Sequence, residues 1–234
     1  MAAMSPQQVF RDVSGRSLAD YPRPSIAVDT AVLTLLPDDE GRPLEMGVLL
    51  VRRPASDATS RLAWALPGTF LHEGETLARA VRRSLESKAG VTGRAPQQLR
   101  VFDDPMRDDR GWVLSVAHLD VMATDDLEAL RDVDATRVVP VQAPGRLPYD
   151  HSAIIELAVE RIREEYEEYP DPRHLLPRRF TIADLRAVHE AVAGRPLQKD
   201  TFRRAMLDRL VEAPGLSSGR VGRPAQLYSR RSGK

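Results

Sequence analysis

Residues 66–91, LPGTFLHEGETLARAVRRSLESKAGV, constrain this chain more than any other stretch. They read as a strand end, a glycine loop and a helix. Pro67-Gly68 and Gly74 punctuate the loop, because glycine reaches backbone conformations that other residues adopt only under strain. Glu75 and Thr76 stand where the helix begins, and Gly90 stands where it ends. Between them Leu77, Ala80, Val81, Ser84 and Leu85 recur at helical spacing and form one apolar face.

The spacing resembles the signature box of the Nudix hydrolases. That pattern is Gly, five residues, Glu, seven residues, Arg-Glu-aliphatic, one residue, Glu-Glu, one residue, Gly-aliphatic. Glu75, Arg83, Leu85, Gly90 and Val91 fall on their places, and Thr69 stands where the first glycine belongs, just after Gly68. Ser84, Ser87 and Lys88 occupy the three helical glutamate positions. Cleaving a diphosphate needs Mg²⁺ to neutralise phosphate and activate water, and Mg²⁺ is held by carboxylate oxygens. Positions 84, 87 and 88 are three and four residues apart and share a helix face. That face offers two hydroxyls and an ammonium that repels Mg²⁺. Glu86 points roughly 100° away from position 87. The expectation is a Nudix fold with no metal site, no catalytic residue and no cofactor. Lys88 can in principle replace a metal as phosphate partner.

The flanking order agrees with that resemblance. Residues 1–24 form a flexible lead with Pro22 and Pro24. Strands are expected at 25–36, 44–51 and 63–66, with a turn at 37–41 and a loop at 55–61. After the box come a strand at 97–103 with Leu99, Val101 and Phe102 buried, a charged turn at 103–111, and strands at 112–122 and 138–141. A helix is expected over 147–162, with Ile154, Ile155, Leu157, Ala158 and Ile162 inward and Asp150 or Ser152 as its cap. The resemblance implies an α/β/α sandwich over 25–170. The acidic, proline-broken stretch 164–172 ends the pattern, so the domain boundary is expected near 170–173.

Residues 171–234 read as a second module. A helix is expected over 180–192, capped by Thr181, with Ile182, Leu185, Val188 and Val192 on one face. A short turn leads to a second helix from 199 or 200 to 213, with Phe202, Met206 and Leu210 inward, stopped by Pro214-Gly215. A hairpin follows over 216–231, with Gly219 and Gly222 in its turn. Helix, turn, helix, hairpin is the order of a winged helix-turn-helix domain. Its second helix would present Lys199, Thr201, Arg203 and Arg204 to DNA, and Arg220 and Arg223 would flank the wing tip. Charge points the same way. The whole chain is neutral, yet 14 of its 34 basic and only 6 of its 34 acidic residues lie beyond position 170, and a basic module suits nucleic acid.

The absence of cysteine excludes disulfides, a thiol nucleophile and cysteine zinc sites. No apolar run reaches membrane-spanning length, so a soluble, cytoplasmic protein is expected. Arg110-Gly111, Tyr149-Asp150-His151, Phe202-Arg203-Arg204 and residues 222–228 are similar to Nudix-related transcriptional regulators of the NrtR type. That resemblance implies a homodimeric repressor of NAD-biosynthesis or pentose-use genes. It would bind a double-stranded DNA operator and release it when ADP-ribose or an NAD-related nucleotide binds the Nudix domain. Ligand candidates are Arg52, Glu75, Arg83, Arg110 and Trp112: the arginines for phosphates, Trp112 for stacking on adenine. Arg83 has the alternative of pairing with Glu75 across the loop, and His151 reads as a structural histidine at a helix start. Two other readings remain: a nucleotide diphosphate hydrolase with an appended basic domain, and a scaffold whose C-terminal domain binds protein.

Overall fold

The computed structural model describes residues 10–36, 44–54, 62–132, 134–217 and 224–231. The turn expected at 37–41, the loop at 55–61, and Gly219, Arg220, Gly222 and Arg223 of the wing tip lie outside them. Strand β1 (Ser25–Leu36) is the axis of a mixed seven-stranded sheet. Its alternate residues face two layers. Val28 and Val32 pack with Ala80, Val81 and Leu85 of helix α1 (Leu77–Ala89). Ala31, Leu33 and Leu35 pack with Ile154, Ile155, Ala158 and Ile162 of helix α3 (His151–Glu168). Residues that alternate along one strand can serve both layers because side chains leave it on opposite faces. The N-terminal domain is therefore the expected α/β/α sandwich.

One irregularity of the sheet positions the site. The second half of β1 pairs antiparallel with β2 (Glu45–Arg52), at Leu33 to Leu36. Its first half pairs instead with β4 (Gly68–Phe70), and β3 (Trp64–Ala65) pairs with the end of β2. The short segment β3–β4 thus crosses from β2 to β1 where those strands part. On the other side β1 runs parallel to β6 (Val113–Val121), beyond which lies the edge strand β5 (Gln97–Phe102). β7 (Thr136–Pro140) closes the far side of β2, and helix α2 (Thr124–Leu130) adds Leu127 to the α1 layer.

Several expectations are corrected. Val101 is exposed. A bulge between Gln98 and Val101 reverses the alternation of β5, so Leu99 and Phe102 face the core and Val101 is turned outward. Helix α3 begins at His151 rather than near 147 and continues through the acidic stretch to Glu168, because Tyr166 is buried in the same core. Asp150 holds the cap position without capping; its carboxylate accepts from Arg107 Nε at 2.6 Å.

In the C-terminal domain Thr181 caps α4 (Ile182–Ala193), accepting from the Asp184 N–H while the Asp184 carboxylate accepts from the Thr181 N–H. Phe180 and Thr181 also form a short strand, β8. Helix α5 (Lys199–Leu207) ends earlier than expected. Leu210, though buried, opens strand β9 (Leu210–Leu216), which pairs with β10 (Gln226–Arg230) in the sheet β8-β10-β9. Pro214 fits there because β9 is an edge strand, where a missing N–H leaves no ladder partner stranded. Phe180, Leu185, Phe202, Met206, Leu210 and Tyr228 form the domain's core. This is a winged helix.

The joint between the domains centres on Asp171, which is 2% exposed. Its carboxylate accepts from Tyr166 Oη of α3 (2.7 Å), from the Leu175 and Leu176 N–H groups (3.0 and 3.1 Å), and from the Arg230 guanidinium of β10. Asp171→Ala leaves these buried donors unmatched and is expected to reduce stability by about 3 kcal/mol. Tyr166→Phe removes one donor only and should lose about 1 kcal/mol. Urea unfolding measures both, and equal losses would show that the carboxylate is not the hub of the joint.

Candidate functional site

Where β1 and β2 part, a cavity of about 460 Å³ opens. Its floor is set by a close approach. A Cβ on Gly68 would lie 1.9 Å from Asp29 Oδ1 and 2.9 Å from the Val28 carbonyl, so only glycine lets β4 lie against β1 here. Asp29 is buried and surrounded by donors. Ser115 Oγ donates to Oδ2 at 2.5 Å, His151 Nε2 lies 3.3 Å from Oδ1, and Arg107 Nη2 is 3.9 Å from Oδ2. His151 Nδ1 accepts the Leu66 N–H at 3.1 Å, which leaves the ring proton on Nε2, aimed at Asp29. Burial alone would raise the Asp29 pKa; His151, Ser115 and Arg107 outweigh it, and the carboxyl lies below its ordinary range.

Around this carboxylate the walls are cationic. Arg107 is buried and pairs with Asp150, yet its Nη2 has no hydrogen-bond partner among the described residues. Arg110 forks onto Asp108 at 2.9 and 2.7 Å. Its guanidinium lies 4.9 Å from the Tyr149 ring centre, and that of Arg53 lies 5.7 Å from the same ring. Tyr149 holds this place with φ 52, a left-handed conformation rare for a bulky side chain. Arg52, at the end of β2, lies 5.5 Å from the Trp64 ring. Lys88 is exposed as a residue, but its ammonium turns back to donate to the Gly68 carbonyl. Protein crowding the ammonium pulls its pKa below the ordinary lysine value; Asp29 opposes this, while Arg83, Arg110 and Arg53 reinforce it.

Of the expected ligand residues, Arg52 and Arg110 line this cavity; Glu75, Arg83 and Trp112 do not. Arg83 takes its structural alternative. Nε and Nη2 fork onto Glu75 at 2.9 and 2.8 Å, Nη1 reaches Thr69 Oγ1 at 3.1 Å, and Nη2 reaches the Phe70 carbonyl at 2.9 Å. The pair ties the glycine loop to α1. Trp112 is half exposed just ahead of β6. Arg53, which the resemblance offers beside Arg52 as an arginine near the ligand, lines the cavity too, whereas Asp29, Arg107 and Tyr149 are not legible as site residues in the sequence. Arg53-Pro54 after a strand and the Arg107–Arg110 run in a charged turn were the available hints.

A second face belongs to α5. Phe202 and Met206 are buried beneath it, whereas Lys199, Thr201, Arg203 and Arg204 are all exposed. Gln198 caps the helix by accepting the Thr201 N–H at 2.5 Å. The four residues expected at DNA therefore share the solvent side of one short helix.

The comparisons agree with both domains. Residues 28–158 match the NUDIX domain model, and residues 172–229 match the NrtR DNA-binding winged helix domain. The crystal structure of Shewanella oneidensis NrtR is 30% identical, covers 88% of this chain and 94% of its own, and superposes with a TM-score of 0.69. The chain belongs to the NrtR family of Nudix-related transcriptional regulators. The same Shewanella protein in complex with a 27mer DNA is 29% identical over 88% of this chain and 93% of its own, also with a TM-score of 0.69. An ADPR responsive transcriptional repressor of Acinetobacter baylyi is 28% identical over 90% of this chain and 83% of its own length.

The box residues of this NrtR-family chain do not suit a divalent cation. Ser84 Oγ is buried with no hydrogen-bond partner among the described residues, Ser87 Oγ donates to the Arg83 carbonyl at 2.6 Å, and Lys88 occupies the Gly68 carbonyl. Among the described residues no three acidic, histidine or cysteine side chains gather as metal ligands, and no helix is long and apolar enough to cross a membrane.

Gly68→Ala is expected to destabilise the N-terminal domain by about 2 kcal/mol, because the new methyl meets backbone and a buried carboxylate rather than a flexible chain end. Thermal unfolding would register it, and a neutral result would mean that β4 can move away from β1. Glu75 is held at about 2 by its hydrogen bond from Arg83 and the His72 N–H, against 4.5 ordinarily. Its pairing therefore stabilises the fold above pH 4.5 and fades as the pH falls from 4.5 towards 2. The melting temperatures of wild type and Glu75→Gln should differ at neutral pH and converge through that window. A gap that stays constant would contradict the pairing.

Proposed function

We propose that this protein is an ADP-ribose-responsive transcriptional repressor, acting as a homodimer on an operator near NAD-metabolism genes. The observation that carries the reading is α5: four polar or cationic residues on its open side and Phe202 and Met206 anchoring the other. A helix so placed enters the major groove through its N-terminal residues. The effector assignment is supported by the cation-lined cavity, by the Acinetobacter relative's designation as ADPR responsive, and by a further solved structure. That structure, the NUDIX domain of Shewanella oneidensis NrtR complexed with ADP ribose, is 25% identical over 64% of this chain and 96% of its own, with a TM-score of 0.50.

The Nudix domain in this reading binds without cutting. Serine, serine and lysine stand where Mg²⁺ ligands would be needed, which weighs against the hydrolase alternative. Dimerisation is supported by Val101, Met106 and Trp112, large apolar residues exposed on and beside the edge strand β5. The proposed domain limits are a lead over 1–24, the Nudix-like domain over 25–170 and the winged helix over 171–234. The proposed contacts are Lys199, Thr201, Arg203, Arg204, Arg220 and Arg223 with DNA, and Arg52 and Arg110 with the effector. A repressor of this kind works in the cytoplasm, beside the chromosome.

Fluorescence anisotropy with duplexes from upstream of NAD-biosynthesis genes tests this reading. Specific binding should weaken with salt and weaken further with ADP-ribose. The double variant Arg203→Ala, Arg204→Ala should lose about 100-fold in affinity while its melting curve stays that of the wild type. Full affinity in that variant would remove α5 from the interface. Specific binding indifferent to ADP-ribose would remove the effector and keep the repressor.

A further inference from the structure

A diphosphate site requires positive charge facing the phosphates, and in this cavity the chain supplies that charge itself. Among the described residues five cationic side chains line the cavity: Arg52, Arg53, Lys88, Arg107 and Arg110. Among the described residues the two acids there are already engaged, Asp29 by Ser115 and His151 and Asp108 by Arg110. The balance favours an anion and repels a divalent cation. Two donors are specifically suited to phosphate oxygens. Lys88 projects from α1, at a position where the box pattern has a carboxylate, and its ammonium has donors to spare beyond the Gly68 carbonyl. Arg107, 8% exposed, lines the same cavity; its Nη2 lies 3.9 Å from Asp29 Oδ2 and has no hydrogen-bond partner among the described residues. A buried guanidinium nitrogen without an acceptor is a rare and unfavourable arrangement, and an incoming oxyanion relieves it.

We infer that Lys88 and Arg107 together take the place of the divalent cation, making the cavity a metal-independent site for a diphosphate group. This rests on the cavity being the effector site proposed above, and it deepens that reading by naming what holds the ligand's phosphates. Lys88 reaches in from the helix layer and Arg107 from the loop before β6, so a diphosphate between them is gripped from both walls. With serine at 84 and 87 as well, that face of α1 has no carboxylate to hold a water-activating metal, so binding is separated from turnover.

Isothermal titration of the full-length protein with inorganic pyrophosphate and with ADP-ribose, each in EDTA and in Mg²⁺, tests the inference. Both ligands should bind in EDTA, and Mg²⁺ should not strengthen either. Lys88→Met should weaken both at least tenfold, and Lys88→Arg should recover most of the loss. A Mg²⁺ requirement in the wild type, or unchanged affinity in Lys88→Met, overturns the inference and leaves the regulator reading standing. Pyrophosphate binding in EDTA without ADP-ribose binding upholds the inference and removes ADP-ribose as effector. Binding of neither overturns both. The wild-type comparison needs no variant, so it decides metal independence even if a substitution at position 88 disturbs the fold.

Discussion

Helix α4 has two apolar faces to bury, and the winged helix can cover only one. Leu185 enters the small C-terminal core with Phe202 and Met206. Val188, Ala191 and Val192 enter the large core of the N-terminal domain with Met46, Ile155 and Ile162. A module of about sixty residues buries too little surface to be robust alone, and lending one helix to its neighbour's core answers that limit. The result is a DNA-reading domain seated on the Nudix sheet rather than trailing from it. His189, on the same helix, sits in the seam. Its Nε2 donates to the Pro170 carbonyl at 2.5 Å, and its ring lies between Tyr166 of α3 and Phe202 of α5, with centres 5.1 and 4.9 Å away. Burial lowers its pKa, so the ring stays neutral in this packed position.

That seating gives the cavity and the recognition helix a shared mechanical part. Helix α3 begins with His151, bonded to Leu66 and facing Asp29 in the cavity wall. Fifteen residues later, roughly 22 Å along the helix axis, Tyr166 holds Asp171 and the seam with His189. β2 offers a second connection, since Arg52 lines the cavity while α4 packs against the same strand. A ligand changes DNA affinity only through contacts that differ between two arrangements of the protein. Both connections are rigid elements that reach from one site to the other, and both end on the recognition module, so a small shift at Asp29 or Arg52 has packed structure to act through.

The sequence disclosed the parts whose information is local. β1 is a β-branched and aliphatic run and forms over the expected residues. The box helix carries its cap, its apolar spacing and its terminal glycine, so α1 lies between Thr76 and Gly90 as expected. Where a tertiary choice decided, local signals failed. The helical pattern continues past Leu207 on paper, yet Leu210 to Ala213 pair with β10, because a strand there buries Leu210 and Ala213 while completing the wing. Val101 has the alternation of a core residue until one extra residue in β5 turns it out. The cavity was least legible. Asp29 and Ser115 are 86 residues apart, Arg107 and Asp150 are 43 apart, and neither pair shares a periodicity that could announce it. Arg83 was read as a ligand residue with a structural alternative, and geometry favours the alternative.

What joins the legible and the illegible parts is Gly68. Its missing side chain lets β4 press on β1 until only 1.9 Å separates a would-be Cβ from Asp29. The same peptide presents its carbonyl to Lys88. One backbone position therefore fixes the distance between the buried carboxylate on the sheet and the ammonium on the helix. With carboxylates at 84, 87 and 88 that spacing would frame a cation. In the proposed reading, serine, serine and lysine in those places make it frame an anion, while the loop, cap and helix that hold the frame keep the box pattern. On that proposal ligand grip and hydrolysis are separable: grip rests on the cations that the frame around Gly68 positions, hydrolysis on the side chains at 84, 87 and 88 on one face of α1.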